Sequence, residues 1–85
     1  MQIRYKPTFV RAYKKMSPAL KQEVKEKITL FQNPANHERL RVHKLKGKLQ
    51  GFYSFSVTHA HRIVFQYEKP DIVVLIAIGD HDVYQ

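Results

Sequence analysis

The apolar residues change period part-way along the chain, and this change limits the folds open to it. Before Asn33-Pro34 they recur at spacings of three and four: Phe9, Ala12, Tyr13 and Met16, then Leu20, Val24, Ile28 and Phe31. That spacing draws one apolar stripe along each of two helices. Beyond Gly51 the period falls to two, with Tyr53, Phe55 and Val57 alternating with Ser54, Ser56 and Thr58. A half-buried strand has this pattern. Ile63, Phe65 and Tyr67 then alternate with Arg62, Val64 and Gln66. After the turn Lys69-Pro70-Asp71, Ile72 to Ile78 is an unbroken apolar run of strand length, which reads as an interior strand covered on both faces.

The boundaries are marked by local chemistry. Met1 to Tyr5 reads as a short first strand closed by Pro7. Thr8 is a candidate cap for the first helix. Ser17-Pro18 combines an N-cap with proline at the first helical position, and Asn33-Pro34 stops the second helix. A strand, a helix hairpin and a three-strand antiparallel meander make an α+β fold in a single domain spanning residues 1–85. The hairpin should cover one sheet face and leave Ser54, Ser56 and Arg62 on the other.

Charge narrows the choice of partner. Fifteen Lys and Arg against seven Asp and Glu give a net charge of +8 in 85 residues, an excess that favours polyanions. Arg39, Arg41, Lys44, Lys46 and Lys48 crowd around His43, and between Arg39 and Pro70 the one carboxylate is Glu68. An aromatic strand follows, so a folded basic surface is expected. The absence of cysteine excludes disulfides and Cys-based zinc sites. The charged amino-terminal stretch is neither a signal peptide nor a spanning helix, and the chain reads as soluble and cytoplasmic.

His43, Arg62 and His81 are the residues best suited to chemistry. His43 enters the first meander strand, Arg62 opens the second, and His81 follows the last, in Gly79-Asp80-His81-Asp82-Val83-Tyr84. Strand ends can gather such distant residues into one cleft. Two histidines and an arginine supply a base, an acid and a cation for phosphate, which is enough for RNA cleavage by its own 2′-hydroxyl without a metal or cofactor. Each residue also has a plainer role open to it: phosphate contact for His43, an ion pair for Arg62, and for Tyr84 packing rather than stacking on a base. A metal site from His59, His61 and His81 lacks helical spacing and a carboxylate partner.

Three segments, in order, resemble the RelE/ParE superfamily of type II toxins. His43-Lys44-Leu45-Lys46-Gly47-Lys48-Leu49-Gln50-Gly51-Phe52-Tyr53-Ser54 is similar to its H-x-L-x-G-x-L-x-G-[YF]-[WY]-S segment. His61 to Tyr67 is similar to its [HY]-R-[IL]-[VI]-[YF] strand, and Ile78 to Tyr84 to the close of its RNA-cleaving branch, one residue shorter. The resemblance covers essentially the whole chain. It implies ribosome-dependent cleavage of messenger RNA, held in check by an acidic antitoxin in a hetero-oligomer. His43 matches the position of the base, Arg62 the arginine on the phosphate, His81 the acid, and Tyr84 the aromatic that holds a base. Arg39, Arg41, Lys44, Lys46 and Lys48 are then the expected RNA-binding residues, with Tyr84. Ser56 and Ala60 stand where some relatives carry a further His and Asp. Two other classes stay open: a gyrase poison without nuclease activity, as in another branch of the superfamily, and a non-enzymatic RNA- or antitoxin-binding module.

Overall fold

The computed structural model describes residues 1–80. Strand β1 (Gln2–Tyr5) leads into α1 (Pro7–Lys14) and α2 (Pro18–Phe31), and the strands β2 (His43–Lys44), β3 (Tyr53–Ser56), β4 (Arg62–Lys69) and β5 (Ile72–Gly79) follow. They form one five-stranded sheet in the order β1-β5-β4-β3-β2. β1 lies parallel to β5, and the other pairs are antiparallel. The predicted hairpin and meander are therefore present. The addition is β2, a two-residue strand that extends the sheet on the far side of β3.

Both helices begin at proline, for different reasons. Ser17 caps α2 as expected, its Oγ accepting from the Leu20 amide at 3.2 Å. α1 departs from expectation: its N-cap is Lys6, with Pro7 at the first helical position, and Thr8 lies inside the helix. The Thr8 hydroxyl instead donates to the carbonyl of Ile76 at 2.5 Å. Ile76 is an extra residue in β5, since Val64 pairs with Ala77 while Phe65 pairs with Leu75. A bulge leaves a ladder carbonyl without its strand partner, and Thr8 occupies that carbonyl while pinning α1 to the sheet.

The helical stripes and one sheet face close on each other. Phe9, Val24, Ile28, Phe31, Phe55, Ile63, Phe65, Val73, Leu75 and Ile78 form the buried core. At its centre Phe31 stacks on Phe55 with ring centroids 4.4 Å apart and meets Phe65 edge-on at 4.8 Å. Leu40, in the connection after α2, joins the same cluster. β5 is interior, between β1 and β4, yet it is not covered on both faces: Val73, Leu75 and Ile78 are buried, whereas Ile72, Val74, Ile76 and Ala77 are only half-buried. The helices cover one side only, and on the opposite side Ser56 and Arg62 are half-buried, whereas Ser54, expected to be accessible there, is fully buried beside Val64.

Candidate functional site

Strand pairing assembles the open face. His43 pairs with Ser54 across β2–β3, and Ser54 with Val64 across β3–β4. Two residues further along β3, Ser56 pairs with Arg62, which in turn pairs with Gly79 of β5. Side chains at i and i+2 leave a strand on the same face about 7 Å apart. The sheet thus sets His43 and Arg62 diagonally about Ser54 and Ser56, on the face away from the helices.

Each of the two is held by a specific contact. The ring Nδ1 of His43 lies 2.8 Å from the carbonyl oxygen of Arg41. A carbonyl only accepts, so Nδ1 carries the hydrogen and Nε2 of the neutral ring keeps its lone pair. That Nε2 lies 3.5 Å from the Oγ of the buried Ser54. Arg62 donates from Nη1 to Ser56 Oγ at 2.7 Å, which fixes the guanidinium plane and leaves donors for a ligand. Beside it, Arg41, Ser56, Thr58, His59 and Arg62 line a cavity of about 250 Å³. The wall is firm: Thr58 Oγ1 accepts from the amides of Ala60 and His61, each at 3.1 Å, and lies 2.9 Å from His61 Nδ1.

The basic segment does not form one continuous patch. Arg41 belongs with Arg62, but Lys44 lies one residue beyond His43 and therefore points to the other face. Lys44 pairs with Tyr53, whose ring stacks on Phe65 at 5.4 Å. Together with Lys46, Gln50 and Phe52 they line a second, larger cavity of about 530 Å³ at the sheet edge. Arg39 and Lys48 are exposed in the flanking turns. Neither described ion pair, Arg4–Glu68 or Lys27–Glu23, uses a cation of this segment. Glu68 is engaged with Arg4 of β1, at the opposite edge of the sheet from β2.

His81 and Tyr84 lie outside the described residues. β5 ends at Gly79, the partner of Arg62, so the chain leaves the sheet beside the site. His37 takes a structural place, with Nε2 2.8 Å from the Phe31 carbonyl and its ring stacked on Phe31. Among the described residues, no group of His, Cys, Asp and Glu is arranged to hold a metal ion, and no helix is long and apolar enough to cross a membrane. The sequence did not disclose that the Arg41 carbonyl orients His43. Alternation from His43 to Lys44 was the available sign that the basic segment divides between two faces.

The strand order and helix placement are those of known toxins, and the sequence decides the family: residues 3–83 match the ParE toxin of type II toxin-antitoxin systems, parDE. The chain belongs to the ParE toxin family. It is a type II toxin of the RelE/ParE superfamily. Similar solved structures agree on the fold of this toxin. A YoeB-YefM complex from Staphylococcus aureus is 21% identical, with 95% of this chain and 97% of that chain covered at a TM-score of 0.74. YafQ from E. coli is 15% identical over 96% and 94% of the two chains, at a TM-score of 0.76. The toxin-antitoxin complex RelBE2 from Mycobacterium tuberculosis is 20% identical over 94% and 96%, at a TM-score of 0.70. No curated protein sequence matches the toxin.

Proposed function

We propose that the toxin is a ribosome-dependent endoribonuclease that cleaves messenger RNA by attack of the 2′-hydroxyl on the adjacent phosphate. The observation that supports this reading most is the orientation of His43: its Nδ1–H is committed to a backbone carbonyl, so Nε2 is available as a base on the face that carries Arg62. In this mechanism Nε2 accepts the 2′-hydroxyl proton, the freed oxygen attacks phosphorus, and the Arg62 guanidinium balances the extra charge of the phosphorane. His81 protonates the departing 5′-oxygen. The products are a 2′,3′-cyclic phosphate and a 5′-hydroxyl end. Lys46 and Lys48 hold phosphates of ribosomal or messenger RNA, and Tyr84 stacks on a base.

An acidic antitoxin is the natural partner of so basic a surface, and two of the similar structures are toxin complexes with an antitoxin. The test is induced expression of wild type and His81→Ala followed by primer extension on an abundant host messenger. New ends inside translated codons, absent in the variant, are expected. Wild-type growth arrest by His81→Ala would remove the acid assignment. A second reading, a poison of DNA gyrase, is favoured by the family match itself. Its sign is a DNA-damage response with messenger RNA intact.

A further inference from the structure

Arg41 has a backbone that its side chain makes costly. Its φ is +58°, the one positive value among the described non-glycine residues. A Cβ in this region crowds the backbone, and glycine or asparagine is the usual occupant. The turn itself has a clear cause. Leu40 is buried in the core, its carbonyl accepts from the Ser56 amide at 2.8 Å, and Val42 packs against the core. The chain must reverse its facing twice within three residues, and Arg41 is the residue sent to the open side.

Nothing in that turn calls for a guanidinium. The Arg41 carbonyl orients His43, a task any residue performs. Arg41 lines the cavity that Arg62 also lines, with Ser56, Thr58 and His59, and that lining contains two arginines and no carboxylate among the described residues. Two arginines lining one cavity with no carboxylate in its described lining give it a positive potential that a bound anion offsets. The Ser56 bond and the Thr58 turn hold the opposite wall in place before any ligand arrives.

We infer that this cavity seats an RNA phosphate between Arg41 and Arg62, and that the left-handed backbone of Arg41 is retained to aim the second guanidinium at it. The inference rests on the RNA reading of the site and names the group that the site grips. Strain kept at a ligand clamp accounts for an arginine where asparagine would fit the backbone better.

The experiment compares wild type, Arg41→Asn and Arg41→Lys in binding an all-2′-deoxy single-stranded oligonucleotide across a salt series, with melting temperature measured alongside. The probe carries phosphates but lacks the internal nucleophile, so binding is read whether or not the toxin cleaves RNA. Arg41→Asn should bind more weakly, and its slope of log K against log salt should be shallower by about 0.7. Its melting temperature should be unchanged or higher, since asparagine tolerates the backbone. Arg41→Lys should restore most of the slope. An unchanged slope in Arg41→Asn overturns the inference. A lower melting temperature in that variant also overturns it, because arginine would then be serving the turn. Wild type that ignores the oligonucleotide but binds an oligoglutamate overturns it as well and gives the cavity to an acidic protein. Binding without RNA cleavage by wild type would instead count against the nuclease reading and leave the phosphate seat standing.

Discussion

His43 and Arg41 are joined by a 2.8 Å hydrogen bond from a ring N–H to a backbone carbonyl, and this bond sets the tautomer of the imidazole. In its neutral form a histidine so tied has its lone pair at Nε2. His43→Gln retains a polar group but has no comparable basicity. It should lower cleavage by about 10²–10⁴-fold, read with purified toxin on programmed ribosomes. Because His43 is exposed, its melting curve should match wild type. Activity within threefold of wild type would exclude His43 as the base.

Ser56 holds Arg62 through a single hydrogen bond of 2.7 Å. Ser56→Ala removes an interaction worth about 1 kcal/mol, close to a fivefold change in rate if the bond serves the transition state. The effect should fall on kcat more than on KM. An equal fall in stability with kcat intact would make the bond purely structural.

Lys46 lines the cavity at the sheet edge, and Lys48 is exposed in the turn that follows it. The double variant Lys46→Ala/Lys48→Ala should weaken RNA binding and reduce its salt dependence, by about 0.7 in slope for each single-strand phosphate that is no longer neutralised. Single-turnover cleavage at saturating RNA should be nearly unaffected. A large fall there would place the two lysines in the chemistry.

Phe31 is fully buried and joins both layers of the fold by stacking on Phe55 and meeting Phe65 edge-on. Phe31→Ala should destabilise the protein by about 3–5 kcal/mol. A chain of this length has roughly 4–13 kcal/mol in all. Urea denaturation should therefore show a partly or wholly unfolded variant, and a destabilisation below about 1 kcal/mol would contradict this account of the core.

Burial, and secondarily Tyr53, raises the pKa of Tyr67 above its ordinary 10.0. The folded state thus keeps the phenol proton at a pH where the unfolded chain releases it. The stability this contributes is complete below pH 10.0 and is lost as pH rises through the folded value. Tyr67→Phe should flatten the alkaline fall in melting temperature, and an unchanged alkaline limb would refute the assignment.

The period of the apolar residues revealed most of the architecture, because burial on one side imposes it directly. Phe55, Ile63 and Phe65 are buried as their alternation requires, and Ser17-Pro18 starts a helix as its local chemistry requires. What the sequence concealed depends on tertiary contacts. Thr8 has the chemistry of a cap, but Pro7 already occupies the first helical position and the Ile76 carbonyl takes the hydroxyl. Ile72 to Ile78 looked covered on both faces since its open-face residues are also apolar, although the helices cover one side only. β2 is two residues long, too short to display a period. At the site, His43 and Arg62 could be picked out by residue type and by resemblance. The positive φ of Arg41 could not, because arginine gives no local sign of that conformation.

Cleavage through the 2′-hydroxyl is tested with purified toxin, ribosomes and two messengers. One is all-ribose, and the other carries a single 2′-deoxy substitution on the 5′ side of the mapped cleavage point. The first should be cleaved to a 2′,3′-cyclic phosphate and a 5′-hydroxyl end, and the second should not be cleaved at the substituted position. Equal cleavage of both messengers, or an intact messenger alongside toxin-dependent double-strand breaks in gyrase-bound DNA, would contradict attack by the 2′-hydroxyl.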